Sequence, residues 1–227
     1  MNASHMNRAV FLDRDGVINR IVYHQDLGIL DTPFTPSQFE LLPDAVKSIQ
    51  ILNGLGLKTI LISNQPGIAK GHFDYKTFLT IEEKMLKSLN QNKAKLDGVY
   101  YCFHHPEGRL KTYRKECDCR KPKAGLLMKA SKDFNLDLKN SYLIGDGITD
   151  IQAGKSAGCI TFLLGNHKCD LCRFLNEEKV KPDFVVGNLY QATKIIQQMV
   201  GFFTIKRGGK KCRSSSIRPT LQRSKRQ

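Results

Sequence analysis

The stretch "AVFLDRDGVIN", residues 9–19, decides how the rest of the chain is read. Four apolar residues, Ala9 to Leu12, run straight into Asp13, Arg14, Asp15 and Gly16. A short apolar run bounded by a turn residue reads as a buried strand. In extended backbone, residues i and i+2 point to the same side, so Asp13 and Asp15 are expected to face one pocket while Gly16 turns the chain away. Two carboxylates that close repel each other, and the pair needs a cation or a shared proton.

Outward from this strand the pattern repeats. Apolar β-prone runs at 58–62, 99–103, 142–144, 161–164 and 184–186 alternate with segments of helical period at 45–52, 75–90, 124–134, 150–157 and 189–200. Such alternation implies βαβ units, hence an α/β fold with a doubly wound parallel sheet, Rossmann-type and without a large cap domain. Open sheets of this kind place their chemistry at the carboxyl ends of the strands. "DRDG", "SNQPG", "CFHHP" and "GDGITD" all fall there. Four polar strand ends converging on one edge argue for an enzyme.

A hard oxygen-donor site made by Asp13 and a second acidic cluster, Asp146 and Asp150, suits Mg²⁺. With the metal present, one carboxylate of the Asp13/Asp15 pair can attack phosphorus and the other can protonate the departing alkoxide. Asn64 and Gln65, just past Ser63, are placed to touch the substrate or a lid.

"CFHHPEGRLKTYRKECDCRKP", residues 102–122, holds Cys102, His104, Cys117 and Cys119. Cys102 and His104 share a face if the strand continues to that point, and three sulfurs with one imidazole match a closed tetrahedral Zn²⁺ site. With no coordination position left open, this zinc would be structural, pinning the loop over the site. His105 is the rival ligand, expected to face the other way. The pair Cys169 and Cys172 is read as thiols in a loop rather than a second metal site, since a matching ligand pair is missing from its spacing.

The set "FLDRDG", "LISNQPG", "CRKP" and "IGDGITD" resembles the haloacid dehalogenase superfamily of phosphohydrolases. The resemblance implies an aspartyl-phosphate at Asp13, with Asp15 as general acid and base. Ser63 would hydrogen-bond the phosphoryl group and Lys121 would neutralise charge. Mg²⁺ would sit among Asp13, the backbone carbonyl of Asp15, and Asp146, with Asp150 behind or assisting. The cysteine pattern is similar to the zinc-containing branch that holds heptose bisphosphate and histidinol-phosphate phosphatases. The twelve-residue loop between His104 and Cys117, with Arg109, Lys111, Arg114 and Lys115, favours a small sugar substrate with a second phosphate. Arg120 matches that group's substrate-recognising arginine. Gly147 departs from it, since a lysine is usual there. Histidinol phosphate, a nucleic-acid 3′-phosphate and a non-catalytic zinc-stabilised binding module are the rival readings.

Composition bounds the rest. Of the net charge of +15, nine positive charges lie in residues 206–227, leaving +6 on the other 205 residues. That distribution reads as a solvated basic tail (204–227) behind a phosphatase domain (7–203), rather than a nucleic-acid surface. Residues 1–6, with "SHM", read as a start outside the fold. No apolar run reaches the roughly 18 residues of a membrane span. Seven cysteines without an export signal point to a reducing, cytoplasmic setting, and a monomer is expected.

Overall fold

The computed structural model describes residues 7–165 and 180–207. Six parallel strands form one sheet: β1 (Ala9–Leu12), β4 (Lys58–Asn64), β5 (Gly98–Cys102), β6 (Tyr142–Gly145), β7 (Ile160–Leu164) and β8 (Phe184–Val186). Their order is β5-β4-β1-β6-β7-β8. A separate antiparallel hairpin pairs β2 (Val22–His24) with β3 (Ile29–Asp31). The helices are α1 (Ala45–Gly54), α2 (Gly67–Lys70), α3 (Tyr75–Gln91), α4 (Gly125–Phe134), α5 (Ile148–Ala157) and α6 (Leu189–Arg207).

All four residues of β1 are buried, which is why this run carries no polar residue. Its side chains alternate between two cores. Val10 and Leu12 pack with Ile49, Met85, Phe162 and Ile196 under α1, α3 and α6. Ala9 and Phe11 pack with Ile60, Leu126, Leu127 and Ala153 under α4 and α5. Burying both faces is what a parallel sheet requires.

The chain leaves β1 for β4 and β5 on one side, then returns to β6, β7 and β8 on the other. The switch point, where ligands bind in open α/β sheets, therefore lies at the carboxyl end of β1. The backbone N–H of Asp13 donates to Ile144 O of β6 (3.0 Å), seaming the sheet just below it.

Four differences from the sequence expectation matter. Segment 20–43, to which the apolar runs and helical periods assign no element, contains the hairpin. Strand β5 stops at Cys102, so His104 lies on the turn beyond it and not on a continued strand. Strand β4 runs two residues further than its apolar stretch, because Ser63 and Asn64 still pair with Tyr101 and Cys102. Helix α6 extends to Arg207, past the helical period read over 189–200. Residues 1–6, Cys169, Cys172 and the tail beyond 207 lie outside the described residues. Among the described residues, no helix is long and apolar enough to cross a membrane.

Candidate active site

After Asp15 the chain makes one tight helical turn. Ile18 N and Asn19 N both donate to Arg14 O (2.8 and 3.1 Å), and Gly16 adopts φ +77°. Gly16 is required twice over: its φ is left-handed, and a Cβ there would lie 2.1 Å from Asp146 Oδ2. This close approach brings the end of β6 against the end of β1.

Carboxylate oxygens of Asp13, Asp146 and Asp150 all lie within 4.8 Å of one another. Between two of them sits the ammonium of Lys121, buried at 2% exposure. Its three protons meet Asp13 Oδ1 (2.9 Å), Asp150 Oδ1 (2.5 Å) and Ile62 O (3.3 Å). Asp150 Oδ2 also accepts from Gly147 N (3.2 Å), so Asp150 anchors Lys121 at the start of α5. Gly147 leaves that N–H in place, but it brings no lysine charge.

The electrostatics reflect one cation among three anions. Burial raises the Asp13 carboxyl to about 6, with Lys121 pulling it down and Asp150 and Asp15 pushing it up. Asp146 is raised to about 8, by burial first and then by the charges of Asp13 and Asp150. Lys121 is held above its ordinary value because Asp13 and Asp150 outweigh its own burial. A divalent cation bound by oxygen would remove this strain.

Asp15 does not join that group. Its carboxylate lies in a separate cradle of donors: Arg14 Nε and Nη2 (both 3.2 Å), Asn19 Nδ2 (2.9 Å), Thr32 Oγ1 (2.9 Å) and Gln65 Nε2 (2.6 Å). Burial alone would raise its pKa, but Arg14 and the bonds from Asn19 and Gln65 bring it below the ordinary value. The two carboxylates therefore meet different partners at the same strand end. The strand ends at Leu12, so the i, i+2 rule no longer holds at Asp15.

Ser63 is buried at the end of β4, where its Oγ accepts from Gln65 Nε2 (3.0 Å). Asn64 and Gln65, expected to touch substrate, spend their amides inside the protein. Asn64 exchanges two hydrogen bonds with the backbone of Lys121, each 3.0 Å. Gln65 holds Asp15 and Ser63. Sequence reading passed over Arg14 and Thr32. The one available signal was an arginine set between an all-apolar strand and a carboxylate.

Cys102, His104, Cys117 and Cys119 converge as the sequence proposed. Their Sγ–Sγ separations are 3.2–3.5 Å, and His104 Nδ1 lies 3.8 Å from Cys102 and 3.4 Å from Cys119. A tetrahedron with ~2.3 Å Zn–S bonds has edges of about 3.8 Å, close to these values. His105 stands apart, its Nδ1 accepting from Glu107 N (3.1 Å). Arg120 follows Cys119 and donates weakly to His104 O (3.4 Å). The basic loop rests on α2, with Leu110 N donating to Ala69 O (2.9 Å).

The HAD-hydrolase-like family model matches residues 118–192, from the cysteine pair through the acidic strand end to α6. A D-glycero-β-D-manno-heptose-1,7-bisphosphate 7-phosphatase of Pasteurella multocida is 41% identical over 152 residues, 67% of this chain and 78% of that protein. The chain belongs to this HAD-like phosphatase family. The Escherichia coli K12 protein of the same name is 38% identical over 156 residues, 69% of this chain and 78% of its own. Two solved structures agree on the fold. A HAD-like phosphatase of Mesorhizobium loti superposes with TM-score 0.70 at 28% identity, covering 86% of this chain and 88% of its own. The D,D-heptose 1,7-bisphosphate phosphatase of B. bronchiseptica, complexed with magnesium and phosphate, gives 0.68 at 27%, covering 85% and 99%. As a HAD-like phosphatase, the chain is a hydrolase that transfers phosphoryl groups, and such enzymes pass through an aspartyl intermediate.

Proposed function

We propose that the enzyme removes one phosphate from a sugar bisphosphate of the D-glycero-β-D-manno-heptose 1,7-bisphosphate type, with Asp13 as nucleophile. The observation that carries the chemistry is the buried Lys121 ammonium shared by Asp13 and Asp150 beside Asp146. The names of the curated relatives support the substrate.

A transferring phosphoryl group spreads negative charge over its oxygens, so catalysis is mostly positioning and charge stabilisation. Asp13 attacks phosphorus as the bond to the sugar oxygen breaks, and Asp15, which must first take up a proton against the donors that favour its ionised form, delivers that proton to the oxygen. Asp15, now ionised, takes a proton from a water that attacks the aspartyl-phosphate, releasing phosphate and restoring Asp13. Lys121 neutralises charge on nucleophile and phosphoryl group, and Ser63 donates to a phosphoryl oxygen. Asp13, Asp146 and the backbone carbonyl of Asp15 would hold Mg²⁺, which supplies Lewis-acid charge stabilisation when bound. Arg120 and the basic loop would take the second phosphate through charge-assisted hydrogen bonds.

A phosphate-release screen in Mg²⁺ tests this reading across sugar bisphosphates, histidinol phosphate, nucleotides and 3′-phosphorylated oligonucleotides. Heptose 1,7-bisphosphate should give the highest kcat/KM and release one phosphate per molecule. A clear preference for histidinol phosphate or the oligonucleotide would overturn it.

The raised carboxyls give a pH prediction. Folded Asp146 and Asp13 hold protons to about 8 and about 6, against an ordinary value of 3.8. The folded state then binds more protons than the unfolded one, so metal-free stability falls as pH rises through that window. Mg²⁺ must displace those protons, and its affinity should rise by up to about tenfold per pH unit for each proton displaced. Thermal melts should show a larger Mg²⁺-induced rise in Tm at pH 8 than at pH 5. An equal rise at both would contradict the metal assignment.

The cysteine cluster would hold Zn²⁺ and fix the loop on α2. Metal analysis should find close to one zinc per chain. Cys117→Ser should lose it and lower Tm by roughly 10 °C, as expected for about 3 kcal/mol in a protein this size. Full zinc retention in a Cys117→Ser, Cys119→Ser double variant would refute the site.

A further inference from the structure

The cradle around Asp15 is built from side chains at positions 14, 19, 32 and 65, and none of them has a part in the chemistry described above. Arg14 is 1% exposed, an expensive place for a guanidinium unless it is paired. Its fork closes on both Asp15 oxygens, Nε on Oδ2 and Nη2 on Oδ1. The same Nη2 also donates to Thr32 Oγ1. Below it lies the ring of Phe78, 5.9 Å from the guanidinium carbon. Arg14 Nη1 is buried with no protein partner, so the guanidinium is placed by its bonds to Asp15 and Thr32 rather than by full satisfaction of its donors.

Thr32 is the residue through which the hairpin reaches the site. It follows β3 directly, is 4% exposed, and its hydroxyl lies 2.9 Å from Asp15 Oδ1 and 3.5 Å from Gln65 Oε1. Among the atoms bonded to the Asp15 carboxylate, only this hydroxyl oxygen both accepts and donates, taking a bond from Arg14 Nη2 while giving one to Asp15. The backbone of Thr32 is held in turn. His24 Nε2 pairs with Thr32 O (3.0 Å), and Thr32 N donates to Asp31 Oδ1 (2.7 Å). Two residues on, Phe34 is sandwiched between the imidazoles of His24 (3.6 Å between centroids) and His72 (4.5 Å). Asp31 also pairs with Lys70 (3.8 Å), tying the hairpin to α2. The hairpin base is thus clamped from both sides, with its one buried hydroxyl turned to Asp15.

We propose that Thr32, delivered by the β2–β3 hairpin, and Arg14 are positioning residues that hold the Asp15 carboxylate in line with the leaving-group oxygen. This rests on Asp15 being the acid and base. A carboxylate free to rotate would spend part of its time aimed away from the bond that breaks, and misplacement of this kind is costly in rate. The loss should grow with the need for protonation, since an aryl oxide leaves unaided and a sugar alkoxide does not.

The test compares kcat for a sugar phosphate and for p-nitrophenyl phosphate in the full-length Mg²⁺ enzyme. Asp15→Asn serves as the reference, and its loss should be much larger on the sugar phosphate. Thr32→Val should show the same pattern at about 10- to 100-fold on the sugar phosphate, no more than the bottom of the range for general acid catalysis because Asp15 itself remains, with a several-fold smaller loss on the aryl ester. Thr32→Ser, which keeps the hydroxyl, should recover most of it. Phe34→Leu loosens the hairpin without touching Asp15 and should give a weaker split in the same direction. If Thr32→Val does not fold, Phe34→Leu and Arg14→Lys decide by the same ratio. Equal losses for Asp15→Asn on both substrates would overturn the acid–base reading itself. A clear split for Asp15→Asn with none for the positioning variants would overturn this inference alone.

Discussion

Asp13→Asn should lower turnover by roughly 10⁴-fold or more on every phosphomonoester, as expected when a nucleophile is removed from machinery that acts as a unit. The loss should not depend on the leaving group, because no other carboxylate can take the place of Asp13. Asp15 is held in its own cradle by Arg14, Asn19, Thr32 and Gln65. Asp150 is spent on Lys121 and Gly147. The fold should survive, since asparagine keeps the shape and removes one of three crowded charges. The metal-free variant should melt no lower than the parent at pH 8. Steady-state kinetics with a melting curve checks both halves, and activity within tenfold of the parent would remove Asp13 from the mechanism.

Lys121→Met should be the most damaging change to stability. Its ammonium is 2% exposed and meets two carboxylates and a carbonyl, all within the sheet's end. Taking away one partner of a buried charge set costs about 3–5 kcal/mol, because the remaining charges are left uncompensated. Denaturant unfolding without metal should show this cost, and Mg²⁺ should recover part of it by supplying another cation. Turnover should fall by about 10²–10³-fold, the usual loss for one preorganised charge-stabilising donor. Lys121→Arg should not rescue, since three acceptors arranged around a point charge do not suit a planar fork. A methionine variant as stable as the parent would mean the carboxylates are not charged in the folded enzyme.

The sheet was legible because its strands are short apolar runs with a polar residue at each carboxyl end. Strand β1 is the clearest case, with four buried residues and then Asp13. The strand ends were less legible. Ser63 and Asn64 look like loop residues, yet they extend β4 by pairing with Tyr101 and Cys102. The hairpin escaped because three-residue strands carry too little periodicity to read.

Within the site, ligand chemistry was easier to read than contacts. Three thiols and an imidazole announce a tetrahedral cluster whatever the fold around them, and they do converge. The hydrogen bonds of Asn64 could not be read from the sequence, because its partner is a backbone 57 residues away. Arg14 was hidden by its own character, since arginine is mostly exposed in folded proteins. Only the fold shows that its fork is turned inward onto Asp15. The different surroundings of Asp13 and Asp15 were likewise set by the turn at Gly16, not by strand alternation.

The central claim is covalent catalysis at Asp13, and it has a direct measurement. The enzyme is mixed with saturating substrate and Mg²⁺, quenched in acid within milliseconds, digested, and its peptides weighed. The account predicts one added phosphoryl group on the peptide containing Asp13, removed by hydroxylamine and missing from Asp13→Asn. Rapid turnover with no phosphorylated peptide at any quench time, or with the phosphoryl group on another residue, would contradict it.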